Sequence, residues 1–180
     1  MLYIVVALKA EAQAFVDMYK LKKIKQDTST LFINKDITLI ISGIGTLKAE
    51  NAAKILINNF TFCENDRVLN VGICGASRRY KIGELLEIGS VIYDNQTFVL
   101  NASIHNTITC LDKEAKEEKY EIVDMESFGF YKAFSSVPEI KNIYIFKVVS
   151  DYCEPSMVTK EKTKQLIFTQ IETIQRILQR

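Results

Sequence analysis

Residues 120–131 read YEIVDMESFGFY, and two carboxylates, Asp124 and Glu126, flank one apolar residue, Met125. The stretch begins strand-like and turns helical after Glu126. On extended chain the two acids share a face, with Met125 on the other. A carboxylate accepts hydrogen bonds from vicinal hydroxyls and a thioether packs on a ring face, so this trio suits recognition of a sugar. The same residues also suit a helix start, with Asp124 as cap and Glu126 opposing the helix dipole. From this stretch alone both readings stand.

Two more carboxylates sit at comparable places. Glu11 follows the apolar run 2–8 (LYIVVAL) and opens a helical pattern. It is either a working acid at a strand-to-helix edge or simple helix N-terminal charge compensation. Asp151, preceded by Ser150, ends the apolar run 142–149 (NIYIFKVV). Two glycine-rich turns follow further strand-like runs: residues 42–46 (SGIGT), which contain Ile44, and residues 72–76 (GICGA), which contain Ile73, Cys74 and Gly75. Short turns of this kind let a ligand approach backbone closely or cradle an anion at a helix start. Neither is a dinucleotide-binding or P-loop pattern. His105 is the only histidine, in a polar stretch with nothing nearby to orient it, which reads as surface.

The elements that must position these residues alternate. Residues 2–8 read as a strand buried on both faces, and 9–21 as a helix on Ala12, Phe15, Val16 and Tyr19. Residues 28–34 and 37–42 read as a hairpin turned at Asn34-Lys35-Asp36. A helix over 47–59 leads to a buried strand at 67–73. Residues 77–83 are basic and turn-like, with Arg78, Arg79 and Lys81. Strands are expected at 85–91, 97–100, 107–110 and 120–123, a charged loop or helical turn at 112–119, and a helix at 127–134 that Pro138 stops. After the strand at 142–149, a helix closes the chain on Leu166, Ile167, Ile171, Ile174, Ile177 and Leu178. The expected architecture is one α/β domain over 1–180, a sheet layered by helices, whose carboxyl strand ends form the ligand edge.

Composition narrows the class. Apolar residues make up 48 % and charged residues 25 %, with a net charge of +1. That balance gives no electrostatic reason to expect nucleic acid or an anionic membrane as partner. Cys63, Cys74, Cys110 and Cys153 are widely spaced with no paired-ligand pattern, so no zinc site is expected. With no signal-peptide pattern and no run of transmembrane length, the expectation is a cytoplasmic protein with reduced thiols.

Taken together, five pieces in order resemble the nucleoside phosphorylase/nucleosidase superfamily, in particular its methylthioadenosine/S-adenosylhomocysteine nucleosidase branch. They are Lys9-Ala10-Glu11 after the first strand, Ser42-Gly43-Ile44-Gly45, Asn70-Val71-Gly72-Ile73-Cys74-Gly75, Val123-Asp124-Met125-Glu126, and Val149-Ser150-Asp151. The resemblance spans nearly the whole chain. It implies a mixed central β-sheet flanked by helices, a small nucleoside as substrate, no cofactor, and a homodimer in which a neighbour closes the site. By the same resemblance Glu11 orients the attacking water, Met125 packs on the ribose, and Glu126 holds its 2′ and 3′ hydroxyls. Asp151 protonates or hydrogen-bonds purine N7, for which burial would have to raise its pKa. Gly75 lies in the loop against the base.

The match departs from the family at two places. The nucleosidases usually carry serine at the Ile73 position, so a polar contact near the ribose or nucleophile is missing; resembled phosphorylases carry arginine at the Asn70 position and a hydroxyl residue at Ile73, both for phosphate, whereas Asn70 has no cationic fork and Ile73 no side-chain donor. This favours water as nucleophile, although Arg78 and Arg79 stand in the next loop. The stretch between residues 95 and 120 is also shorter than the family's, which contributes an aromatic to the purine; Phe98 is the candidate stand-in. A catalytically inactive nucleoside- or adenine-binding protein and a phosphate-dependent phosphorylase are the alternatives. A flavodoxin-like domain fits the βα alternation but not three strand-end carboxylates, which repel a phosphate-bearing cofactor.

Overall fold

The N-terminal apolar run forms β1 (Leu2–Val6), of which Ile4, Val5 and Val6 are wholly buried. The computed structural model describes residues 1–26, 29–115 and 119–179. After β1 come α1 (Lys9–Tyr19), β2 (Lys22–Gln26), β3 (Ser29–Ile33), β4 (Ile37–Ile41), α2 (Thr46–Asn59) and β5 (Arg67–Ala76). There follow β6 (Leu85–Glu87), β7 (Ser90–Tyr93), β8 (Gln96–Val99), β9 (Thr107–Cys110), β10 (Ile122–Asp124), α3 (Ser127–Phe134), β11 (Asn142–Asp151) and α4 (Lys160–Leu178).

The strands make one mixed sheet in the order β2-β3-β4-β1-β5-β10-β9-β7-β8, with β11 on β5 and β6 on β11. Its central pairs β4/β1, β1/β5 and β5/β11 are parallel. The hairpins β2/β3, β3/β4 and β7/β8 are antiparallel. α2 and α3 pack with one face of the sheet, around Val5, Leu56, Phe130 and Phe134. α1 and α4 pack with the other, around Ile4, Phe15, Phe146 and Ile171. The α/β class, the hairpin at residues 34–36 and the closing helix are as the sequence indicates. The polar residue Asn34 makes that turn by accepting the N–H groups of Asp36 and Ile37 on its side-chain oxygen.

β5 is forked, and the fork shapes everything above it. On one edge it pairs with β11 from Arg67 to Gly75. On the other it pairs with β1 only as far as Asn70, and with antiparallel β10 only at Gly75 and Ala76. Among the described residues, no strand therefore lies beside residues 71–74 on that edge.

Several expectations are corrected. The strand expected over 85–91 is two strands, β6 and β7, with different neighbours. Gly89 lies at the break, where a Cβ would come within 2.0 Å of the Ile104 carbonyl oxygen, so no other residue fits that approach. β2 was not expected; with Ile24 its one apolar residue, it carries little alternation for a reader to see. The strand expected over 120–123 is shifted to β10, and β5 and β11 run further than expected, to Ala76 and Asp151. Residue 28, at the start of the expected hairpin, and residues 116–118 of the charged stretch lie outside the described residues.

Candidate active site

The carboxyl ends of β1, β5 and β11, together with the β10–α3 junction, surround a cavity of about 260 Å³. All ten residues singled out in the sequence line it: Glu11, Ile44, Ile73, Cys74, Gly75, Asp124, Met125, Glu126, Ser150 and Asp151. They come from five separate stretches of chain.

Glu11 occupies the gap in the fork of β5. Its Oε2 accepts the backbone N–H groups of Ala7 (2.9 Å) and Leu8 (2.8 Å), and its Oε1 accepts that of Ile73 (2.9 Å). The carboxylate thus ties the end of β1 to the unpaired stretch of β5 and caps the first turn of α1 in the same act. The helix-start reading of Glu11 is met by these bonds, and the same residue lines the cavity. Burial raises its pKa, against the N–H groups of Leu8 and Ile73 and the charge of Lys147. One oxygen keeps accepting capacity toward the cavity. A Cβ on Gly72 would stand 2.9 Å from Glu11 Oε1, so this carboxylate position requires the glycine.

Beneath the cavity lies a residue that the sequence reading passed over. Lys147 Nζ is 2.7 Å from Asp124 Oδ2, and both side chains are 1 % exposed. Burial pulls the Lys147 pKa down, but the Asp124 and Glu126 carboxylates outweigh it and hold the ammonium charged. The signal was present: a lysine inside the buried run NIYIFKVV has to be paired. Asp124 also accepts from Ser127, at Oδ2 from the backbone N–H (3.0 Å) and at Oδ1 from the hydroxyl (2.7 Å), and so holds the start of α3.

Glu126 faces the cavity across from Glu11. Its Oε1 accepts the Gly45 N–H at 2.8 Å, which ties the glycine turn before α2 to the β10–α3 junction. The Thr46 hydroxyl donates to the Met125 carbonyl in the same tie. Gly45 has φ +115°, a backbone state that favours glycine. Burial pushes the Glu126 carboxyl up to about 7, Asp124 adding to the rise and Lys147 opposing it.

Asp151 is held at both oxygens. The Ser150 hydroxyl lies 2.6 Å from Oδ2, and the Glu154 N–H donates to Oδ1 at 2.8 Å. Lys162, from α4, donates to the Ser150 carbonyl at 3.1 Å and steadies the strand end. Gly75 sits beside this carboxylate, with Val123 and Cys153 close on either side.

Among the described residues, no aromatic side chain lines the cavity. Phe98 packs on Phe128 and Tyr131 of α3 instead. Lys113, Glu114 and Ala115 supply part of the wall. Arg78 lies over the Tyr152 ring and 3.7 Å from Glu154, Arg79 pairs with Glu121, and neither arginine lines the cavity. His105 is exposed. No group of three His, Cys, Asp or Glu among the described residues could hold a metal ion. Within them, too, no helix is long and apolar enough to cross a membrane.

No family model and no curated protein sequence matches the chain. Solved structures do. A 5′-methylthioadenosine/S-adenosylhomocysteine nucleosidase from Helicobacter pylori, bound to butyl-thio-DADMe-Immucillin-A, superposes with a TM-score of 0.79 at 14 % identity, covering 99 % of this chain and 97 % of that one. Futalosine hydrolase of Helicobacter pylori gives the same TM-score, identity and coverage. The nucleosidase of Colwellia psychrerythraea, in complex with adenine, gives 0.72 at 19 % identity over 93 % of this chain and 92 % of that one. The chain therefore has the nucleoside phosphorylase/nucleosidase-like fold over nearly its whole length.

Proposed function

We propose that this chain hydrolyses the N-glycosidic bond of a purine nucleoside or 5′-thionucleoside and releases the free base. The observation that carries the reading is the convergence of Glu11, Glu126 and Asp151 on one cavity from three different strand ends. The fold shared with nucleosidases, one of them holding adenine, supports it.

In this reading each residue has a role with which the geometry is compatible. Glu126 Oε2 and its spare lone pairs accept the 2′ and 3′ hydroxyls while Oε1 stays on Gly45. Met125 packs on the ribose face. As the C1′–N9 bond breaks, its electron pair leaves with the base, which takes a proton at N7 from Asp151. The sugar carbon becomes cation-like, and Glu11 and Glu126 oppose that charge. Water held by Glu11 adds to C1′ and gives its proton to that carboxylate. Lys147 balances the buried negative charge from below, so three acids coexist in one site.

Water rather than phosphate is the nucleophile. Asn70 donates to the Val5 carbonyl, Ile73 offers only the backbone N–H that Glu11 takes, and the two loop arginines point elsewhere. A homodimer belongs to this reading: Ile44 and Leu47, beside the cavity, are exposed apolar residues that a second copy would cover.

One observation favours the alternative of a nucleoside-binding protein without turnover, namely the cavity wall without an aromatic. The variant Asp151→Asn separates the two. Its expected result is loss of base release with the melting temperature and nucleoside binding retained. Unchanged turnover would remove Asp151 from the mechanism, and no turnover in the unsubstituted protein would leave only binding.

A further inference from the structure

A second, larger cleft shares no lining residue with the candidate active site. It has a volume of about 710 Å³, within the range of small-molecule sites. Its position follows from the sheet: the β3/β4 ladder ends at Leu31 and Ile40, and the cleft opens past that end, between α1 and α2. Three cations reach it from three elements, Lys9 of α1, Lys23 of β2 and Lys48 of α2. Among the described residues no carboxylate lines it, and none of the three lysines has a carboxylate partner. In a chain with 23 basic and 22 acidic residues, that is a local imbalance rather than a general excess of charge.

The remaining lining is of two kinds. Val16, Phe32, Ile41 and Ile55 supply apolar surface, and Ser29, Thr30 and Asn51 supply hydrogen-bonding groups. Cations along one cleft attract an anion, while apolar surface gains by covering a ligand body. We propose that this cleft binds a small organic phosphate: a phosphoryl group on the lysines and hydroxyls, and a planar or apolar body on Phe32, Val16 and Ile55. The proposal is independent of the nucleosidase reading, since none of these residues lines the candidate active site.

The experiment is site-resolved amide NMR of the 20.6 kDa chain, titrated with 1-naphthyl phosphate and, separately, with inorganic phosphate. The expected result is that naphthyl phosphate shifts the amides of Lys23, Ser42 and Asn51, and inorganic phosphate does so only at much higher concentration. The double variant Lys23→Gln/Lys48→Gln should bind naphthyl phosphate at least about tenfold more weakly, since each lysine is a charge-assisted donor. Both lysines are exposed, so the variant's spectrum reports folding independently. No shift at the cleft, or shifts of equal affinity in the double variant, would overturn the proposal. Equal affinity for inorganic phosphate would overturn the part played by the apolar surface.

Discussion

Lys147 Nζ stands 2.7 Å from Asp124 Oδ2, with both side chains buried under the floor of the cavity. Removing one partner leaves the other as an uncompensated buried charge, which costs about 3–5 kcal/mol. Lys147→Met should therefore lower unfolding free energy by that order in urea titrations. Asp124→Asn/Lys147→Met should lose less than the sum of its parts, because the second change removes the charge that the first strands. Additive losses would mean that the pair is not coupled.

The Glu11 carboxylate lies over Gly72, and a methyl there would stand 2.9 Å from Oε1. Gly72→Ala should push the carboxylate off the Ile73 N–H. The expected outcome is a fall in kcat of at least about tenfold, the usual scale for a displaced catalytic group. Glu11 also ties β1 to β5, so a loss of stability of ~1–2 kcal/mol should accompany it. Full activity in this variant would separate Glu11 from the chemistry.

Much of this arrangement was legible in the sequence, for a physical reason. Buried parallel strands are continuous apolar runs, and polar residues at or just past their ends, Glu11, Ser150 and Asp151, line the cavity. The fork of β5 was not legible, because it depends on pairing between residues far apart, β1 leaving at Asn70 and β10 joining at Gly75. Lys147 carries no strand-end signal, because it lies inside β11 among apolar residues. The break at Gly89 was missed because Leu85 to Val91 is apolar enough to read as one strand, and only the approach of the Ile104 carbonyl divides it.

Burial, with Asp124 adding to it, raises the Glu126 carboxyl from its ordinary value to about 7. Its contribution to folding is complete below the unfolded carboxyl range near pH 4.5 and is lost as pH rises through about 7. On the proposed reading ligand binding has the opposite sign, because ribose hydroxyls would donate to the ionised form. Dissociation constants of a non-hydrolysable nucleoside analogue, measured by calorimetry from roughly pH 5 to 8, should fall with rising pH and level off above about 7, changing by up to tenfold per unit below it. Glu126→Gln should flatten the profile. A wild-type profile that is flat would show that Glu126 does not meet the ligand as an acceptor.

Free-base release by the unsubstituted protein in phosphate-free buffer, from methylthioadenosine, S-adenosylhomocysteine, adenosine, inosine and guanosine, tests the central claim most directly. The expected result is release of the base from at least one of these, with a rate that added phosphate leaves unchanged. Release only when phosphate is present, or none from any of the five, would contradict it.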